Sequence, residues 1–149
     1  MKTNLLNKNF VPYGLALELK NLGFELPCFG WYVSEHYGLE IGYVEKDDLI
    51  REAILAPFYQ DVFDWFEEHF GLYIEWSIDG WGTDECVSKE NICYRLFIWE
   101  VGKPKPHHNS DLGAGSRAQM NPVGLKDLIE IAKNGPDWDS LDNFPNDEL

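Results

Sequence analysis

The chain reads as a single α+β domain, an antiparallel sheet with helices packed mainly on one face. Three observations lead there. Residues 57–70 alternate at helical spacing between an aromatic and an acidic side: Tyr59, Val62, Phe63, Phe66 and Phe70 share one face, and Gln60, Asp61, Asp64, Glu67 and Glu68 the other. Residues 72–78 alternate with period two, placing Leu72, Ile74, Trp76 and Ile78 opposite Tyr73, Glu75 and Ser77. Pairs of strand-like segments separated by helical ones give the order α-β-β-α-β-β-α, which suits an antiparallel sheet carrying a helical layer.

The first helix spans residues 12–22. Leu15, Leu19 and Leu22 lie on one side with Ala16 beside them, and Gly23 closes it. Residues 28–33 and 39–44 are strands around a short polar turn, and residues 47–53 add a helical turn. In the aromatic helix, Pro57 suits a first-turn position, where a missing N–H costs no hydrogen bond. Gly71 suits the left-handed residue that ends it. Asp79-Gly80-Trp81-Gly82 is turn-like. Residues 92–101 form a second long strand that is largely apolar on both faces, with Ile92, Tyr94, Leu96 and Ile98 on one and Cys93, Phe97, Trp99 and Val101 on the other, Arg95 among them. A strand of that kind is either central or interfacial. Residues 102–121 read as a long polar loop, after which Asn121 caps a helix from Pro122 to the Asn134-Gly135 stop. The domain is expected over residues 1–135, with 136–149 an acidic, mobile tail. Its core should include Val62, Phe63, Phe66, Leu72, Ile74, Trp76, Leu96 and Ile98.

Length and composition narrow the function classes. The 149 residues suit one domain, and 44% hydrophobic residues, 15% aromatic, suffice for a core without metal or disulfide. Twenty-six acids against 12 Lys and Arg give a formal charge of −14. The five acids of residues 136–149 account for part of this, and the remaining 21 against 12 leave the body at −9. Such a charge keeps a protein soluble, repels nucleic acid and anionic lipid, and attracts basic protein surfaces. Cys28, Cys86 and Cys93 are odd in number and lack CxxC spacing, so neither a disulfide framework nor a zinc site is expected. The first nine residues hold no apolar run of the signal-peptide kind, and no stretch of 18 apolar residues occurs, so a cytoplasmic protein is expected.

Candidate sites follow from this background. Asp61, Asp64 and Glu68, at i, i+3 and i+7, stack their carboxylates along the outer side of the aromatic helix. They are either a solvated face or a negative stripe that docks on a basic groove. Phe97 and Trp99 mark a second partner-binding candidate, because aromatic residues anchor interfaces. The 102–121 segment is locally basic: Lys103, Lys105, His107, His108 and Arg117 are candidates for contact with an anion, and Gly113-Ala114-Gly115-Ser116 would offer backbone N–H groups. No Walker or dinucleotide-binding pattern frames it. Adjacent histidines diverge, so His107 and His108 do not make a metal site. Asp79, Asp84 and Glu85 lack the spacing of a calcium loop. Cys28, His36 and His69 fit no nucleophile motif. No catalytic residues, cofactor or metal are expected.

Two blocks carry a resemblance. Residues 10–32 include Val11-Pro12-Tyr13, Ala16, Leu19-Lys20, Gly23-Phe24 and Pro27-Cys28-Phe29-Gly30-Trp31-Tyr32. Residues 56–72 include Ala56-Pro57, Gln60, Trp65-Phe66 and His69-Phe70-Gly71-Leu72. Read as VPYxxAxxLKxxGF, PCFGxY and APxxQxxxxWFxxH, they resemble a family of small uncharacterised proteins from Bacteroidetes and their phages and prophages. The two blocks hold 40 of the 149 residues, in the same order. It implies a mobile-element origin and supplies no catalytic residues; the 102–121 segment and the acidic tail depart from the plainer family form. Together with the acidity, it leads to the expectation of a non-enzymatic binding protein. Such a protein would dock on the basic surface of a host nucleic-acid-binding defence protein, a nuclease effector for example, as anti-CRISPR-type inhibitors do. The alternatives are an accessory interaction domain without inhibitory role, and a small nucleotide-binding or nucleotide-processing protein using the 102–121 segment.

Overall fold

The computed structural model describes residues 8–50, 52–78, 87–88, 91–113 and 117–134; at 78, 87–88, 91–93, 108–113 and 117 it describes the backbone only. The elements are α1 (Tyr13–Leu22), β1 (Cys28–Tyr32), β2 (Leu39–Val44), β3 (Ile54–Leu55), α2 (Tyr59–Phe70), β4 (Leu72–Ile78), β5 (Val87–Ser88), β6 (Asn91–Glu100), β7 (His108–Gly113) and α3 (Arg117–Asn134). The class is α+β, and the long elements run in the expected order. A short 3-10 turn, Lys46–Asp48, stands within the segment expected to add a helical turn. The chain divides into two compact units, Met1–Asp64 and Trp65–Leu149, and the division falls inside α2. The expected turn at 79–82, the acids Asp84 and Glu85, Cys86, and the tail lie outside the described residues.

In the first unit, β1 is the middle strand of a three-stranded antiparallel sheet ordered β2-β1-β3. The segment before α1 is tied to the start of α2: Val11 N–H donates to Pro57 O at 2.9 Å, Tyr59 N–H to Asn9 O at 3.1 Å, and Phe10 bridges Phe58. The Tyr32 hydroxyl donates to Val11 O at 2.9 Å. Phe10, Val11, Ala16, Leu19, Phe24, Ile54, Leu55, Tyr59, Val62 and Phe63 are buried. The inner face of the sheet is the one bearing Gly30: a side chain there would meet the Phe10 ring at 2.7 Å.

In the second unit, β6 is central, paired antiparallel with β4 along one edge and with β7 along the other, while β5 pairs with its beginning. The β4–β6 register sets Leu72 opposite Glu100, Ile74 opposite Ile98 and Trp76 opposite Leu96. Leu72, Leu96 and Ile98 are buried, as are Met120, Leu125, Leu128 and Ile129 of α3. Helix α3 meets the Leu72/Ile74/Trp76 face of β4 at Gly124, where an added Cβ would run into Ile74 Cδ1 and stand 2.9 Å from two carbons of the Trp76 ring. Gly71, between α2 and β4, has φ 63°, the left-handed conformation that glycine adopts without strain.

Three expectations are corrected. The single sheet is two sheets, because β1–β3 and β4–β7 make separate ladders. The 102–121 segment is not one long loop. Residues 108–113 pair with β6 from Ile98 to Cys93, and α3 begins at Arg117 rather than at Pro122. A strand of His-Asn-Ser-Asp-Leu-Gly carries no apolar alternation, and its backbone groups are satisfied by the open edge of β6 instead. Pro122 sits inside α3 and withholds one helical N–H, a loss confined to the second turn. Of the expected core, Ile74 and Trp76 are half-buried rather than buried. Among the described residues no helix is long and apolar enough to cross a membrane.

Candidate functional site

Helix α2 presents the acidic row. Its spacing buries Val62, Phe63, Trp65 and Phe66 and leaves Asp61, Asp64 and Glu68 exposed. Gln60 donates from its amide to Asp64 Oδ1 at 3.0 Å, an i, i+4 contact that holds that carboxylate along the helix. Among the described residues none of the three carboxylates has a cationic partner. The helix thus delivers three negative charges to solvent on a rigid element.

Phe97 and Trp99 lie on the face of the second sheet opposite the α3-packed one. They stack with ring centroids 6.2 Å apart at 29° and are half-buried. Across the ladder stand Glu75 and Tyr73, both exposed, Tyr73 to 41%. The Trp99 indole N–H is buried and has no hydrogen-bond partner among the described residues.

The basic candidates are dispersed among different roles. Lys103 is exposed in the turn after β6, and Lys105 is half-buried. The His107 side chain is only 2% exposed; its Nε2 lies 2.5 Å from Glu100 Oε2, and its backbone N–H donates to Ile98 O at 2.6 Å. His107 is therefore a structural pair with Glu100 that closes the β6–β7 connection. His108 and Arg117 are placed by backbone only, in β7 and at the start of α3. Residues 114–116 lie outside the described residues. Sequence pattern does not reveal the partner of His107, because Glu100 is seven residues away and meets it only when the chain reverses. Among the described residues no three His, Cys, Asp or Glu side chains gather as a metal site.

Cys28 is buried in the first unit, its thiol donating to Leu26 O at 3.3 Å. Burial pushes the thiol up to about 12, and the negative charge of Asp61 adds to the shift. Burial likewise pushes the Tyr59 phenol up to about 12, with Tyr32 contributing. In the unfolded chain these groups ionise from their ordinary values of 9.0 and 10.0. The native state keeps both protons beyond that point. The contribution of these two groups to stability is therefore constant below about pH 9, falls as pH rises above it, and is lost as pH passes about 12. Urea unfolding between pH 7 and pH 11 should show this fall, and Cys28→Ala should move its onset toward the tyrosine range; a flat profile in the parent would refute it. A thiol this protonated is not a nucleophile, so the buried cysteine is read as a packing residue.

Compared with known protein families, with curated proteins and with solved structures, the chain finds no match in any of the three.

Proposed function

We propose that the chain is a non-enzymatic, acidic binding protein that docks on a basic protein surface in the cytoplasm. The observation that carries this reading is the row Asp61, Asp64 and Glu68, exposed on a helix whose other side is anchored by buried aromatic rings. A body charge of −9 raises the association rate with a cationic cleft and opposes contact with a polyanion. The mobile-element resemblance makes the target a host nucleic-acid-binding defence protein, and occupation of its basic groove would exclude the nucleic acid. The reading makes no use of the 102–121 segment, where residues 108–113 pair with β6 and His107 pairs with Glu100.

The test is capture of the partner from a Bacteroidetes lysate, its purification, and kinetic measurement with the parent and with the triple variant D61N/D64N/E68Q. The association rate should fall by about tenfold at low salt, with a flatter salt dependence and unchanged thermal unfolding. The partner's own nucleic-acid binding should be blocked by the parent. Tight, salt-sensitive binding of this chain alone to RNA or DNA would sink the reading, as would a triple variant that binds the partner like the parent.

A further inference from the structure

The first sheet has an outer face that the acidic-helix reading does not use. Gly30, which is buried, pairs across the β1–β2 ladder with Ile41, which is 54% exposed on the edge strand, and Trp31 and Glu40 pair on the opposite face. Phe29, next to Gly30 in sequence, joins Trp31 there, at the point where the ladder's register is irregular. Phe29 is 53% exposed and Tyr43 is 63% exposed. Their ring centroids are 5.9 Å apart at 65°, and the Phe58 ring stacks on Phe29 at 6.1 Å and 29°. At Gly42 an added Cβ would lie 3.4 Å from the Trp31 ring, so the indole lies over the bare glycine backbone. Phe29 and Tyr43 thus form an exposed ring pair backed by Phe58, with the Trp31 indole over Gly42 on the same strands. Exposed rings in such a cluster mark a contact surface more often than an isolated exposed side chain does.

Carboxylates border the platform. Glu40 faces Trp31 across the ladder. Glu45 accepts from the Tyr43 hydroxyl at 2.8 Å, and Asp48 accepts from the Glu45 backbone N–H at 3.3 Å. The Tyr43 phenol titrates above its ordinary value, chiefly through its hydrogen bond to Glu45, with the charges of Glu45 and Asp48 adding to it. The nearby Lys46 is turned to Glu25. Among the described residues Glu40, Glu45 and Asp48 have no cationic partner.

These two features together select an occupant. A second copy of a chain with charge −14 would bring acid against acid, and a phosphate-bearing ligand would meet the same repulsion. A guanidinium group satisfies both features at once: it stacks flat on ring faces, and its N–H fork pairs with carboxylates. We propose that the Phe29/Trp31/Tyr43 platform, with Glu40, Glu45 and Asp48, receives arginine side chains from a protein partner. This rests on the basic partner of the proposed function but not on the acidic row of α2, and it assigns the sheet face as a second, arginine-reading contact.

The test uses the full chain and a blocked peptide, Arg-Gly-Arg-Gly-Arg, with its lysine counterpart and the neutral sugar cellopentaose as comparisons, by calorimetry at about 150 mM salt. Lysine carries the same charge without the planar fork. The arginine peptide should bind most tightly. Phe29→Ala and Tyr43→Ala, both at exposed positions, should each weaken it by about two- to fivefold, and the double variant by about tenfold. E40Q/E45Q should weaken it further, and D61N/D64N/E68Q should leave its affinity within about twofold of the parent. No binding of the arginine peptide, equal binding of the lysine peptide, a double variant that binds like the parent, or binding of cellopentaose in place of the arginine peptide would each overturn the proposal. A lysate partner insensitive to the α2 variant, with the arginine peptide still bound through the platform, would overturn the acidic-row reading and leave this one standing.

Discussion

Phe66→Ala should cost about 3–5 kcal/mol of stability. The ring is fully buried, in edge contact with Trp65 at 5.2 Å and tilted against Phe70 at 5.5 Å. Its removal forfeits the transfer of the ring from water and also leaves a void, because close-packed neighbours relax only in part. A small domain has about 5–15 kcal/mol in total, so the variant should be partly unfolded at modest temperature. The check is a denaturant midpoint that falls at constant slope. Phe66→Leu keeps most of the volume and should lose much less. A cost below about 1 kcal/mol for the alanine variant would mean that Phe66 is not enclosed, and with it the phasing of α2 would be wrong.

Gly124→Val should cost about 3 kcal/mol, the upper end of the overpacking range. Helix propensity taken alone has the opposite sign, since glycine inside a helix is worse than almost any replacement by up to about 1 kcal/mol. The neighbours decide between the two. The Ile74 methyl is the end of a flexible side chain and can turn aside, but the Trp76 ring at 2.9 Å is a rigid plane held in the second sheet. A branched side chain therefore pushes α3 away from β4. Gly14 supplies the comparison: it lies in α1 with nothing within 4 Å of an added Cβ, and Gly14→Ala should be neutral or stabilising. Thermal unfolding of the two variants should move in opposite directions. A stabilised Gly124→Val would refute the close approach of α3 to β4.

Helix α2 and strand β4 are legible in the sequence because each carries its own periodicity. The helical spacing of Val62, Phe63 and Phe66, and the strict alternation of residues 72–78, require no knowledge of the rest of the chain. The exposure of Asp61, Asp64 and Glu68 follows from the same spacing, so this candidate surface is written in the order of residues along one helix. The central place of β6 is also implied there, since apolar side chains on both faces suit a strand with neighbours on both edges.

Tertiary structure decided what local pattern does not encode. Strand β7 has a polar sequence and exists because β6 offers unpaired N–H and C=O groups along one edge. The start of α3 at Arg117 overrides the Asn121-Pro122 signal, because burial of Met120 together with Leu125, Leu128 and Ile129 outweighs one withheld hydrogen bond. The separation into two ladders and the Phe29/Trp31/Tyr43 cluster arise from strand pairing between separate segments, and the His107–Glu100 pair from the reversal of the chain after β6. The physical division is between periodicity, which is local and written along the chain, and partner choice. A strand's edge, a buried charge and an exposed ring cluster take their meaning only from what stands opposite them.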